Sequence, residues 1–364
     1  MEFLYETIAA VTWQQVIMWC LGALLIFLAI KKDMEPALLL PMGFGAILIN
    51  IPFSGAEGVM SSLFAIGIEM NEIMPLVLFI GIGAMIDFGP LLSNPKLFLF
   101  GGAAQFGIFL TILLAAACGF SIEDAASIGI IGAADGPTSI VVAQTLKSNY
   151  VGPIMVVAYS YMALVPIIQP AVIKLTTTKK ERLIRMEYKP ASVSKRTKIL
   201  FPILVTIVSG LIAPASLSLV GMLMFGNLIR ECGVLNYLTD TAKDVLTNLV
   251  TLFLGITIAF TMKAENFITV QTLMIMGLGL CAFIFDTFSG VMLAKVMNLF
   301  LKEKINPIIG AAGISAFPMS ARIVQKMGIK EDPTNHLLMH AVGANVSGQI
   351  ASAIVGGLII GLVL

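Results

Sequence analysis

Asp135 is the ionisable residue whose setting demands the most explanation. It stands in Gly132-Ala133-Ala134-Asp135-Gly136-Pro137-Thr138-Ser139, inside apolar sequence running from Ile128 to Val142. Ionisable groups at bilayer depth are rare and mark ion or proton pathways. Gly136-Pro137 breaks a helix and frees backbone carbonyls, which membrane proteins tolerate where the break is buried or lines a cavity. The stretch therefore offers a carboxylate, bare carbonyls and the Thr138 and Ser139 hydroxyls in one place. These are the oxygen ligands a small hard cation takes. The plainer alternative is a loop at the membrane surface, where Asp-Gly-Pro is ordinary turn chemistry.

Other polar residues sit in mid-span sequence. Tyr161 lies in Ala158-Tyr159-Ser160-Tyr161, and Asn345 lies in Gly343-Ala344-Asn345-Val346-Ser347-Gly348-Gln349-Ile350-Ala351-Ser352. Asn345, Gly348 and Ser352 share a helix face by their spacing. Packing by small and polar residues is the competing account of this stretch. A carboxylate at Asp135 could hold either Na⁺ or H⁺, with the Tyr161 phenol relaying a proton as a general acid. Asp286, in Phe285-Asp286-Thr287-Phe288-Ser289-Gly290, is the runner-up for a second ion site. Asp87 precedes Gly89-Pro90 and reads as an interfacial cap. Arg322 either receives an anionic substrate group from the cytoplasm or follows the positive-inside bias.

These residues need membrane helices to hold them. The chain has 364 residues, 58% hydrophobic and 12% charged, with a mean hydropathy of +0.97. Ordinary globular domains run at about 25% charged, so a multi-span membrane protein is the class that fits. The net charge of +1 points to no particular partner, and the basic stretch 175–198 is too short, between spans, to read as a nucleic-acid patch. Cys20, Cys118, Cys232 and Cys281 are scattered, with no metal-ligand spacing. No Walker, Rossmann or metal-hydrolase motif is present. Thr261-Met262-Lys263-Ala264 begins like a Met-Lys-Met biotin-attachment turn but lacks the second Met, and its lysine ends a membrane span.

The hydropathy pattern predicts an all-α polytopic membrane protein with about ten transmembrane helices of apolar length. The spans fall at 13–30, 36–51, 73–88, 97–120, 151–173, 199–213, 217–229, 245–262, 268–293 and 337–364. Broken elements occupy 122–147 and 305–327, and a short interfacial helix is expected over 59–70. A basic linker, 175–198, separates a first membrane repeat, 1–174, from a second, 199–364. The halves overlay at a shift of roughly 174 to 184 residues, the self-similarity of a repeat. Phe44-Gly45 falls on Phe225-Gly226, Gly81-Ile82 on Gly255-Ile256, and Gly132-Ala133-Ala134 on Gly310-Ala311-Ala312. Pro137-Thr138-Ser139 falls on Pro318-Met319-Ser320, and Tyr161 on Asn345. With the basic linker inside, the broken elements are re-entrant hairpins and the repeats are inverted. Their tips can then meet near the midplane, a transporter-like plan.

Four stretches carry a family resemblance. They are Gly132 to Thr138, Ala158 to Pro166, Ile314-Ser315-Ala316-Phe317-Pro318-Met319-Ser320-Ala321-Arg322, and Gly343 to Gly348. Over nearly its whole length the chain resembles the β subunit of the sodium-translocating decarboxylases, which include oxaloacetate, methylmalonyl-CoA, glutaconyl-CoA and malonate decarboxylases. The resemblance implies a subunit that decarboxylates carboxybiotin in the membrane, exports Na⁺ and consumes an external proton. By carry-over, Asp135 binds Na⁺ and Tyr161 handles the proton. By the same carry-over Asn345 and Ser352 line the ion path; the residues' own chemistry adds Thr138 and Gly348 to that path, with Na⁺ at Asp135 and Asn345, and makes Arg322 the candidate carboxybiotin contact. The implied partners are a biotin carrier protein, a carboxyltransferase subunit, a small γ/δ-type membrane subunit, further β copies and membrane lipid. The implied location is the bacterial plasma (inner) membrane. A sodium-coupled secondary transporter or Na⁺/H⁺ exchanger without chemistry fits the hairpins and repeat equally well; a channel fits less, since no filter-like repeat is visible.

Overall fold

The computed structural model describes residues 2–70, 72–188 and 193–364; Lys189, one of the cations of the basic linker, lies outside them. All regular structure among the described residues is helical. The helices are α1 (Glu2–Ala9), α2 (Trp13–Lys32), α3 (Pro36–Ile49), α4 (Ala56–Phe64), α5 (Ile73–Met85), α6 (Gly89–Ser93), α7 (Phe98–Ala103) and α8 (Phe106–Ala117). There follow α9 (Ile122–Gly129), α10 (Gly136–Thr145), α11 (Val151–Thr176), α12 (Lys179–Arg182), α13 (Lys195–Ile212) and α14 (Leu217–Cys232). The last are α15 (Asn236–Asp240), α16 (Thr247–Ala259), α17 (Ala264–Phe267), α18 (Val270–Phe300), α19 (Met319–Glu331) and α20 (Leu338–Val363).

Among the described residues, six helical stretches are long and apolar enough to cross a bilayer: Trp13–Lys32, Pro95–Ala117, Val151–Thr176, Asn236–Met262, Val270–Phe300 and Leu338–Val363. Local sequence sets their ends. Thr12 and Gln15 cap the start of α2 reciprocally, satisfying donors that a helix start leaves free. Lys31 and Lys32 close α2, where the helix dipole favours cations. Thr269 caps α18 by accepting from the Thr272 N–H. The Pro95–Ala117 stretch has an interruption at Ala104-Gln105 that its hydropathy does not signal.

The packing places α18 at the centre, against α8, α11 and both broken elements. α5 packs along α14 and α3 along α16. Leu24 and Phe27 of α2 and Leu204 and Leu211 of α13 face outward, as helices bathed in lipid require.

The linker lies strapped across the second broken element. Arg182 pairs with Glu331 at 2.8 Å and Arg185 with Asp332 at 2.7 Å, both partners closing the end of α19. The Asn306 side-chain amide donates to the Arg182 and Ile184 carbonyls, each at 2.8 Å. Thus both arms of that element are tied to one strand of linker.

Candidate functional site

The first broken element is α9, a 3₁₀ turn over Ile130–Ala133, and α10. Ala134 takes a left-handed conformation, φ +54°, and reverses the chain. Asp135 then occupies the N-cap position of α10, with Pro137 in the first turn. Proline is tolerated there because a first-turn N–H has no helical partner. The carboxylate thus sits at the positive end of a half-helix, where negative charge is favoured.

Asp135 is 3% exposed. One of its oxygens, Oδ2, accepts from the Thr138 hydroxyl at 2.6 Å, Gln349 Nε2 at 3.2 Å and the Ser352 hydroxyl at 3.4 Å. The Ser139 hydroxyl donates to the Asp135 carbonyl at 2.9 Å. One half-helix residue, Thr138, and two residues of α20 therefore converge on one buried carboxylate. Gln349 had no assigned role in the sequence; its three-residue spacing from Ser352 is the signal that places both on one face.

The second broken element is a 3₁₀ turn over Pro307–Gly313, an irregular stretch, and α19. It touches the first directly: the Ser315 N–H and hydroxyl both donate to the Ala133 carbonyl, at 3.2 and 2.7 Å. The wall of this contact is α20. Asn345 Nδ2 donates to the Ile314 carbonyl at 2.6 Å, and its buried Oδ1 has no hydrogen-bond partner. Gly348 lies so close to the second break that a Cβ there would stand 2.0 Å from the Gly313 carbonyl oxygen. One turn on, Gln349 and Ser352 meet Asp135. One helix face thus spans both breaks, as the Asn345-Gly348-Ser352 spacing predicts.

Besides Asn345 and Gly348, which meet the second break, the structure keeps Tyr161, Asp286 and Arg322 away from the Asp135 hydrogen bonds. The Tyr161 hydroxyl donates to the Met276 carbonyl on α18, and the residue lines a cavity of ≈ 410 Å³ between α2, α11 and α18. Asp286 is fully buried; its Oδ1 accepts from the Gly107 N–H at 2.5 Å, at the start of α8, while Oδ2 has no hydrogen-bond partner. That oxygen abuts the first break, 2.4 Å from where a Cβ of residue 132 would stand. Arg322 opens onto a cavity of ≈ 400 Å³ that Lys174, Lys326 and Lys330 also line.

Fold and site together define a multi-pass helical membrane protein whose interior carries a polar cluster where two helix breaks meet. The chain belongs to the family of the Na⁺-transporting oxaloacetate decarboxylase beta subunit, whose family model matches residues 14–363. It is 50% identical to the methylmalonyl-CoA decarboxylase subunit beta of Propionigenium modestum, over 95% of this chain and 94% of that one. It is 48% identical to the glutaconyl-CoA decarboxylase subunit beta of Acidaminococcus fermentans, over 97% and 94%. The oxaloacetate decarboxylase beta chain of Klebsiella pneumoniae is 43% identical, over 96% and 95%.

Proposed function

We propose that this chain is the membrane subunit of a biotin-dependent decarboxylase, releasing CO₂ from carboxybiotin and exporting Na⁺ while an external proton is consumed. The observation that carries this reading is the Asp135 carboxylate, buried at a half-helix start among Thr138, Gln349 and Ser352, in a chain of this family. Na⁺ is the cargo. Asp135 takes it, Thr138 and Ser352 supply further oxygens, and Asn345 and Gly348 carry the path onto the second break. Tyr161 handles the proton.

Arg322 meets the carboxylate of carboxybiotin in the basic cavity that it shares with Lys174, Lys326 and Lys330. Asp286 is the second ion-site candidate. The reading includes a biotin carrier, a carboxyltransferase subunit, a small γ/δ-type subunit, further β copies and a bacterial inner membrane.

The same proposal takes the fold as two inverted repeats, 1–174 and 199–364, joined by a cytoplasmic linker, with about ten spans and two re-entrant hairpins, as in transporters with paired broken helices. The reciprocal pairing of α3 with α16 and of α5 with α14 supports it.

The test is Na⁺-dependent decarboxylation of carboxybiotin by the purified complex, wild type against Asp135→Asn. Sodium-stimulated CO₂ release that the substitution abolishes is expected. Undiminished release from the variant overturns the site. Sodium binding without CO₂ release under any condition moves the protein to the transporters.

A further inference from the structure

Tyr159 is a buried tyrosine, 2% exposed, whose hydroxyl has no hydrogen-bond partner. Buried phenols ordinarily find a partner, and a buried polar group without one is costly. The ring of Tyr159 lies over the start of α10. Its hydroxyl-bearing carbon, Cζ, stands 2.2 Å from where a Cβ of Gly136 would be, with both flanking ring carbons within 2.7 Å. Only a residue without a side chain fits beneath it. The unpartnered hydroxyl is thereby carried to the residue next to Asp135.

We propose that the Tyr159 hydroxyl is a ligand of the cation taken up at Asp135. The assignment rests on the reading that Asp135 takes Na⁺. Hard cations bind through oxygen, neutral or charged, and a phenol offers lone pairs without losing its proton. Tyr159 adds a neutral oxygen from α11 to the donors already contributed by α10 and α20. The cation then supplies the partner that the hydroxyl lacks. Helix geometry separates this role from that of Tyr161. Residues two apart on a helix do not share a face. With Tyr159 turned to α10, Tyr161 is turned to α18, where its hydroxyl meets the Met276 carbonyl.

The test is Na⁺ binding by the purified full-length chain, read by isothermal titration and by the Na⁺-induced rise in melting temperature. Neither readout requires decarboxylation. Tyr159→Phe keeps the ring over Gly136 and removes only the oxygen. It is expected to weaken Na⁺ binding by about tenfold or more, the effect of losing one charge-assisted contact, and to shrink the Na⁺-induced stabilisation. Its melting temperature without Na⁺ should match wild type. Tyr161→Phe is expected to bind Na⁺ as wild type does. Na⁺ affinity unchanged in Tyr159→Phe overturns the assignment, as does an equal loss in both variants. Unchanged Na⁺ binding in Asp135→Asn instead overturns the reading on which it rests.

Discussion

Ser315 and Ala133 join the two broken elements through a single carbonyl: the Ser315 hydroxyl and N–H both end on the Ala133 oxygen, at 2.7 and 3.2 Å. The residue after Ala133 turns the chain and the next is Asp135, so this contact sits two residues from the buried carboxylate.

Ser315→Ala removes one of the two donors and leaves the carbonyl satisfied by the other. We expect a loss of about 1 kcal/mol, the net worth of one such bond, read as a lowered melting temperature. A change in Na⁺ half-saturation should accompany it, because the Ala133 side of the bond leads directly to Asp135. Sodium response identical to wild type would show that the contact is scaffold alone.

Gly348→Ala tests the close approach of α20 to the second break. The new methyl would collide with the Gly313 carbonyl oxygen at 2.0 Å, and neither backbone has a flexible end to yield. Overpacking of this kind costs about 1–3 kcal/mol. Thermal unfolding in detergent should register it, whereas Gly361→Ala, with open space around its Cβ position, should not.

Asp286 offers an ordered series. It accepts from the Gly107 N–H, one of the donors that a helix start leaves without an internal partner. Asp286→Asn keeps an acceptor; Asp286→Leu strands the N–H at about 1–3 kcal/mol. The melting temperature should therefore fall further in the Leu variant. The reverse order would show that the bond from the Gly107 N–H does not set stability at this site.

The linker strap predicts a protease phenotype. Asn306→Ala removes both amide bonds that hold the linker carbonyls of Arg182 and Ile184. Trypsin should then cut after Arg182 or Arg185 several-fold faster, since cleavage follows local opening. Equal cutting rates would mean that the ion pairs to Glu331 and Asp332, with the Asn335 amide on the Ile184 carbonyl at 3.0 Å, hold the linker without Asn306.

Acid should loosen the corner where Asp87 meets Lys198 and Arg230. Burial disfavours the Asp87 charge, but the Gly89 N–H at 2.8 Å and Lys198 at 3.1 Å, with Arg230 nearby, outweigh it and hold the pKa below 3.8. A depressed carboxyl stabilises the fold above its unfolded pKa, and that contribution is lost as pH falls through the folded value. Wild type and Asp87→Asn should therefore differ in melting temperature at pH 5 to 7 and converge below pH 4, a window set by this shift. A constant difference across the range would remove Asp87 from the acid response.

Asp135 was legible because a carboxylate beside Gly-Pro in apolar sequence has few structural explanations, and Thr138 came with it through local spacing. Ser352 followed from helix periodicity. The sequence singled out Tyr161, through its overlay on Asn345 and the family resemblance, and only the tertiary placement of α10 and α18 shows that the Tyr159 ring is the one lying over the helix start beside Asp135. Ser315 stood in the second break without a readable role, because its partner is a backbone carbonyl, and carbonyls leave no trace in residue type. The interruption at Ala104-Gln105 escaped notice for a similar reason. Asp286, far along the chain, accepts a donor at the new helix start, so no local breaker is needed. Short helices such as α3 and α5 matched their hydropathy segments, since Pro36 and the Glu72–Ile73 boundary mark their starts.

Gly290 and Gly310 meet backbone to backbone: a Cβ on either would stand 2.0–2.1 Å from the other's carbonyl oxygen. In a library of every single substitution, such positions would read as empty columns, rejecting alanine as firmly as tryptophan. Asp135, where Asn keeps the shape and removes only the charge, would retain folded variants even where Na⁺-dependent turnover is lost. A mutational map scored on folding would then outline the seam between α18 and the second break before it outlined the Asp135 cluster.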